Sequence, residues 1–329
     1  MRAVGGIHAQ VQASAELQLA VRVDGLTQQD VRDALWRDRT LVKAWTLRGT
    51  LHLHAADELP LWHATRSPPE ALPAWPDPAG VVHPAVDAGE AAELRAAVWE
   101  SAGDEPLLRE QLVDEVVRRV GTKHEGRLRS GFAFFTGELC QGPPQGNKIT
   151  LVRPDLWIGT WKRVESRDAL REVLQRFLHA YGPSRPSEFR EWFGRDVPFE
   201  LVDVEEVDVE GRRAFVLRGD TDLPEPEKHV HLLPEYDVYV MGFREREHLV
   251  PQRVREQVAA HGRGRYEGPA GVRFLLVDGV AAGLWERKKR ARSLELTVTP
   301  ARRFNRAALA REAERLASFL GVEPVLTIE

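Results

Sequence analysis

The chain has 329 residues, 43% of them hydrophobic and 29% charged, with a formal net charge of -4 at pH 7. That length accommodates two or three compact units, and the lack of any apolar run near the roughly 20 residues of a bilayer span excludes a membrane-spanning helix. Cys140 is the only cysteine, which excludes an intramolecular disulfide and a Cys-rich zinc site, and the start shows no secretory signal, so a soluble cytoplasmic protein is expected. The mild negative charge argues against indiscriminate coating of nucleic acid, but basic residues gathered in one place still attract phosphate.

The chain opens on Gly5-Gly6 and His8-Ala9-Gln10. Leu17, Ala20 and Val21 follow at helical spacing and predict an amphipathic helix, with Ser14 as its cap. His8 and Gln10 are polarity that a helix entry does not need. Thr27 followed by Asp30 predicts a capped second helix through Leu35 and Trp36. From Lys43 to Ala55 the period changes to two. Trp45, Leu47, Leu51 and Leu53 fall on one face, and Thr46, Arg48, Thr50, His52 and His54 on the other, as in a strand pair or a long strand with one face to solvent.

The same order returns twice. Glu90 to Glu100 and Pro106 to Val120 predict helices, with Pro106 suited to a first turn, and Asn147 to Pro154 predicts a strand. Arg167 to Tyr181 and Ser187 to Phe193 predict helices again, followed by a strand from Ala214 after the turn at Gly211. Helix, helix, then strand or hairpin is the winged-helix pattern, here in three loose copies. The Pro- and acid-rich stretch from Asp220 to Lys228 reads as a linker. The chain beyond His229 is β-rich, with Asp278-Gly279 as a hairpin turn and a closing amphipathic helix from Arg306 to Leu320. The expected class is α+β: winged-helix units over 1-85, 86-160 and 161-222, then a β-rich domain with its closing helix over 223-329.

Several polar groups stand out. His52 and His54 share a strand face and would bind metal given a third ligand, but His63 lies on a predicted helix and no His-Glu zinc motif exists; incidental histidines are the plainer reading, and a metal-dependent hydrolase the weakest one. Arg48 on the same face reads equally as a phosphate contact or as the partner of an acid. Asn147, Lys148 and Arg153 lie on a loop and strand able to approach a phosphate backbone, although the Gly-Lys-Ser/Thr order of a P-loop is absent. The densest basic runs hold Arg244 and Arg246, then Arg287, Lys288, Lys289, Arg290 and Arg292. They suit either a solvated β edge or phosphate contact.

Five segments in order, "GGIHAQ...ELQLAVRV", "LVKAWTLRGTLHLHAADELPLW", "GELCQGPPQGNKITLVRP", "FLHAYGPSRPSEFREWFG" and "LLPEYDVYVMGFREREHLVP", resemble the AlkZ/YcaQ-like bacterial DNA glycosylases of the tandem winged-helix superfamily. The resemblance covers nearly the whole chain. It implies a C-shaped scaffold with a basic concave surface, and cleavage of the N-glycosidic bond of bulky or crosslinked N7-alkylpurines, for base excision repair or self-resistance to a DNA-alkylating natural product. The AlkZ branch carries Gln-apolar-Gln and the YcaQ branch Gln-apolar-Asp. Here His8-Ala9-Gln10 occupies that place, so the second position matches the AlkZ branch and the first departs from both. Gln10-Val11-Gln12 spells the motif two residues further on, away from the Gly-Gly anchor. Relatives usually carry a helical segment ahead of the Gly-Gly that this sequence does not show, as either a misassigned start codon or a truncated first domain would give.

The resemblance implies that His8 and Gln10 are catalytic. An N7-alkylated purine is cationic and leaves readily, so the demanding parts are the oxocarbenium-like sugar and the attack of water at C1′. An amide orients water; a neutral imidazole, with a reference pKa of about 6.5, also takes its proton. The DNA-contacting set expected is Gln12, Arg48, Asn147, Lys148, Arg153, Arg244, Arg246, Arg287, Lys288 and Lys289. The expected partner is double-stranded DNA carrying alkylated purines, met by a monomer with no metal, no organic cofactor and no membrane. The alternative is a winged-helix transcription regulator, but a regulator usually spends one such unit per protomer beside a dimerisation element, and no coiled coil is evident here.

Overall fold

The computed structural model describes residues 1-131, 135, 137-221, 228-243, 245-261 and 271-329. Their contacts gather into two units, residues 33-169 and residues 1-32 with 170-329.

In residues 33-169, Leu41–Trp45 pairs antiparallel with Leu51–Ala55, Leu41 facing Ala55 and Trp45 facing Leu51, so the period-two stretch is a strand pair. A 3-10 turn over Leu47–Gly49 joins them, with Arg48 at φ +53°. Arg48 therefore sits in the turn and not on the strand face where the alternation placed it. All five residues of Leu51–Ala55 are buried, which corrects the expectation of a solvent-facing histidine face. Each ring finds a local partner, His54 Nε2 with Thr46 Oγ1 at 2.9 Å and His52 Nδ1 with the Thr50 carbonyl at 3.0 Å. Polar groups in a buried strand must be satisfied in this way.

The sheet continues through Cys140–Gln145, Lys148–Val152 and Leu107–Leu108. Helices Ala88–Ser101 and Arg109–Val120 cover it, burying Leu94, Val98, Leu112 and Val116 with Leu128, Phe135 and Leu151. The first is capped by Asp87, whose carboxylate accepts the Glu90 N–H at 2.9 Å. The second begins later than expected. Pro106 leads into the short strand Leu107–Leu108, paired with Thr150 and Leu151, and the Gln111 side chain accepts the Leu108 N–H at 2.8 Å.

The other unit repeats that order. Helices Ser166–Tyr181 and Pro186–Phe193 bury Phe177, Phe189 and Trp192 against one another, and the hairpin Val204–Val209 with Arg212–Leu217 follows. Ser184, just ahead of the second helix, bridges to Phe215 in the second hairpin strand, as Leu107–Leu108 does in the first unit. The expected linker falls largely on residues 222-227, outside the described residues.

Beyond it, the described residues form a sheet in the order Val230–Leu233, Phe274–Val277, Val280–Lys289, Ser293–Pro300, Glu323–Ile328. The turn Asp278-Gly279 has φ of +52° and +78°, the left-handed pair that a tight hairpin requires. The last strand runs parallel to Ser293–Pro300, which the closing helix Arg306–Phe319 makes possible by crossing between them. Sequence periodicity marked neither this strand nor the helix Gln252–His261. The stretch read as β-rich after His229 also contains a helix, Val238–Met241, capped by Asp237.

Helix Gln12–Ala20 belongs to this unit and packs on Arg306–Phe319. It is not amphipathic: every residue from Ser14 to Ala20 is buried. Val11 stands at its cap position with no side-chain cap. Ser14 lies inside the helix, where its hydroxyl donates to the Glu235 carbonyl, so the expected cap is spent on a tertiary contact.

Candidate active site

Gly5 and Gly6, at φ +71° and +106°, turn the chain into the two-residue strand Ile7–His8. These angles suit residues without a Cβ. His8 is 6% exposed and Ala9 fully buried, whereas Gln10 is exposed in a bend that leads into the helix. His8 and Gln10 thus do not share one extended face. The chain passes from interior to surface within two residues, with His8 below and the Gln10-Val11 bend above.

The helix fixes what lies beneath. Gln18 is fully buried; its Nε2 donates to the His8 carbonyl at 3.0 Å and its Oε1 accepts the Val238 N–H at 3.2 Å. Glu16, buried on another side of the helix, accepts from Gln12 Nε2 at 3.3 Å, Gln28 Nε2 at 2.6 Å and Arg32 Nε at 3.2 Å. Three polar side chains in a buried helix are tolerated because each is paired.

Residues 233-238 form the opposing wall. Trp285 Nε1 donates to the Leu233 carbonyl at 2.8 Å. Arg273 holds the Glu235 carboxylate through Nε at 2.6 Å and NH2 at 3.2 Å, and also reaches Glu286 at 3.0 Å. Arg22 grips both oxygens of Asp237, at 2.6 and 2.9 Å. Between the two acids, Tyr236 has φ +61°, and its ring lies 5.6 Å from the His8 ring, tilted by 39°. Burial pushes the Glu235 carboxyl up, but the Arg273 hydrogen bond and the charges of Arg273 and Arg287 bring it below the usual carboxylate value. Burial lowers the Arg287 guanidinium, and Glu235 opposes that shift.

The remaining expected residues are scattered. Gln12 opens the helix. Arg287 is half-buried, 3.7 Å from Glu235, so it neutralises the wall, while Lys288 and Lys289 are exposed at the end of Val280–Lys289. Arg246 donates from Nε to the Phe243 carbonyl at 2.8 Å, and Arg244 lies outside the described residues. In the unit of residues 33-169, Arg48 is exposed, as are Asn147 and Lys148 at the hairpin turn. Arg153 pairs with Asp155 at 2.8 Å and lies over the Trp99 ring at 5.4 Å. Among the described residues no group of three or more His, Cys, Asp or Glu is placed to hold a metal, and no helix is long and apolar enough to cross a membrane.

Sequence reasoning missed Gln18, Glu235, Tyr236, Asp237, Arg22 and Arg273. The signal for them was the polar Ser14, Glu16 and Gln18 inside a leucine-rich helix, and an aromatic residue flanked by two acids in "LLPEYDVY".

The family model described as DNA glycosylase AlkZ-like matches residues 1–319. An interstrand DNA cross-link repair glycosylase of Streptomyces sahachiroi is 32% identical over 350 residues, 96% of this chain and 89% of that protein. The solved structure of the Streptomyces sahachiroi DNA glycosylase AlkZ is similar with a TM-score of 0.80 at 28% identity, over 99% of this chain and 92% of that one.

Proposed function

The chain belongs to the AlkZ-like DNA glycosylase family, and on that premise we propose that it releases N7-alkylated purines from duplex DNA, including purines tethered in interstrand crosslinks. It is a glycosylase, a hydrolase of N-glycosidic bonds. His8 serves as the base, Gln10 as the group that orients water, and the repeated helix, helix, hairpin order as winged-helix units that hold the duplex. The bridging of Leu107–Leu108 and of Ser184 to the second strand of each hairpin supports that last assignment.

The chemistry divides simply. The cationic purine departs with the bonding electrons of C1′–N9, leaving oxocarbenium character on the sugar. Water attacks C1′ while its proton passes to the imidazole of His8. A base held close to the water supplies proximity, and general-base help adds roughly 10² to 10⁴-fold. Because the leaving group is already charged, the protein needs to supply little acid assistance.

One observation carries the assignment: His8 is buried against Tyr236, its carbonyl fixed by a fully buried Gln18, two residues below the exposed bend at Gln10. A base seated so is preorganised and still close to the surface. Exposed Arg48, Asn147, Lys148, Lys288 and Lys289 suit phosphate contact, which positions a duplex without reading its sequence. The partner is alkylated duplex DNA met by a monomer in the cytoplasm. The test is incubation of the purified protein with duplexes bearing N7-alkylguanine, singly and as an interstrand crosslink. Release of the free base and separation of the crosslinked strands are expected, and binding without release would turn the reading to a regulator.

A further inference from the structure

Tyr236 is the one non-glycine residue of the wall at a positive φ, +61°. A side chain with a Cβ resists this left-handed backbone, and such residues persist only where the surroundings over-determine them. Here the surroundings do so from both sides. On the N-terminal side, Trp285 holds the Leu233 carbonyl, Ser14 holds the Glu235 carbonyl and Arg273 holds the Glu235 carboxylate. On the C-terminal side, Arg22 holds Asp237 through two bonds, and Gln18 accepts from Val238.

Three of these anchors return to one helix. Ser14, Gln18 and Arg22 recur every four residues, on the first helix and just past its end, and Gln18 is also the residue that fixes the His8 carbonyl. One helix face therefore holds both the main chain of His8 and the main chain on either side of Tyr236. The product of this arrangement is the contact of the Tyr236 ring with His8, at 5.6 Å and 39°. A conformation that folding alone would avoid is maintained, and what it achieves is the placement of one ring beside one imidazole.

We propose that Tyr236 is the positioning residue for His8: its ring, held out by the left-handed backbone, sets the tilt of the imidazole that receives the proton from water. The proposal deepens the reading of His8 as base and rests on it. The observed contact is ring to ring, so the role is assigned to the ring and the hydroxyl is expected to be dispensable.

The experiment compares wild type, Tyr236→Phe, Tyr236→Gly and His8→Ala, each full length, by single-turnover release of N7-methylguanine from a duplex at saturating protein. Duplex affinity and thermal midpoint are measured beside it. Glycine is at ease at positive φ, so Tyr236→Gly is expected to keep or raise the thermal midpoint and to bind DNA within about twofold, while its release rate falls about tenfold or more, as misplacement of a reacting group does. Tyr236→Phe is expected to stay within about threefold of wild type. A merely structural residue gives no such opposition of stability and rate. Full speed in Tyr236→Gly beside a slow His8→Ala overturns the positioning role and leaves His8 as base. A Tyr236→Phe as slow as the glycine variant overturns the role of the ring. Full speed in His8→Ala overturns the reading beneath the proposal, and the proposal with it. Should Tyr236→Gly prove unstable, Tyr236→Asn, which also tolerates this backbone, gives the same comparison.

Discussion

Gln18, fully buried, donates its amide to the carbonyl of His8 at 3.0 Å and accepts the Val238 N–H at 3.2 Å. One side chain thus ties the strand that carries the proposed base to the loop that faces it. Truncation leaves a buried carbonyl and a buried N–H without this partner, at about 1–3 kcal/mol for each orphaned group. We expect Gln18→Ala to lower the free energy of unfolding in urea by about 2 to 6 kcal/mol and to slow base release even where the protein is folded. A variant with unchanged stability would show that neither bond matters.

Removal of Asp237 should also be costly. Its side chain is fully buried and held bidentately by Arg22, which is 22% exposed, and it also caps Val238–Met241 by accepting the Tyr239 N–H at 2.9 Å. Burial works against the Arg22 charge and Asp237 more than offsets it; with the acid removed, a guanidinium that stays protonated is left in place without that compensation. Asp237→Ala should therefore destabilise by about 3 kcal/mol or more. A urea midpoint shared with wild type would contradict the pair's importance.

His63 gives a pH signature. Burial first, then the nearby Arg66, holds its imidazole down to about 4, with Glu138 and Asp155 opposing; Arg66 donates to its Nε2 at 3.1 Å. The unfolded imidazole takes its proton near 6.5, so between pH 6.5 and about 4 the unfolded chain binds more protons and stability falls with pH. The contribution is complete above 6.5 and gone by about 4. With 31% of the side chain exposed, its worth is roughly 2 kcal/mol. In His63→Gln, unfolding free energies from pH 7 to 4 should lose that component of the slope. An unchanged slope would assign acid sensitivity to other groups.

Lys288 and Lys289, exposed at the end of Val280–Lys289, should contact phosphate. Changing both to Glu is expected to weaken binding to duplexes of different sequence about equally and to flatten the dependence of log affinity on log salt, by roughly 0.9 for each phosphate that is no longer neutralised. Weakening confined to one sequence would favour base reading by a regulator.

Local signals account for what the sequence disclosed. Thr27 and Asp30 bond reciprocally, Asp30 N–H to Thr27 Oγ1 at 3.1 Å and Thr27 N–H to Asp30 at 2.8 Å, and Asp278-Gly279 turns a hairpin, because three or four adjacent residues decide each. Ser14 misled because its partner, Glu235, is 221 residues away. His52 and His54 misled because a period of two reports two faces and not which of them meets solvent; here both are buried. In the proposed site, His8 and Gln10 were visible as polarity that local structure did not require, and through the family motif. The wall around Tyr236 was not visible, since its geometry comes from Arg22, Ser14, Arg273 and Trp285, brought together only by folding.

Whether His8 takes the proton from water is read from the pH dependence of single-turnover base release from N7-alkylguanine duplex by wild type, His8→Gln and His8→Ala at equal DNA occupancy. The wild-type rate is expected to rise to a plateau as one group loses its proton. His8→Gln, which recreates the Gln-apolar-Gln triplet, should keep part of the rate with that titration gone, and His8→Ala should be slower still. A His8→Ala protein as fast as wild type, with the same pH profile, would contradict that role.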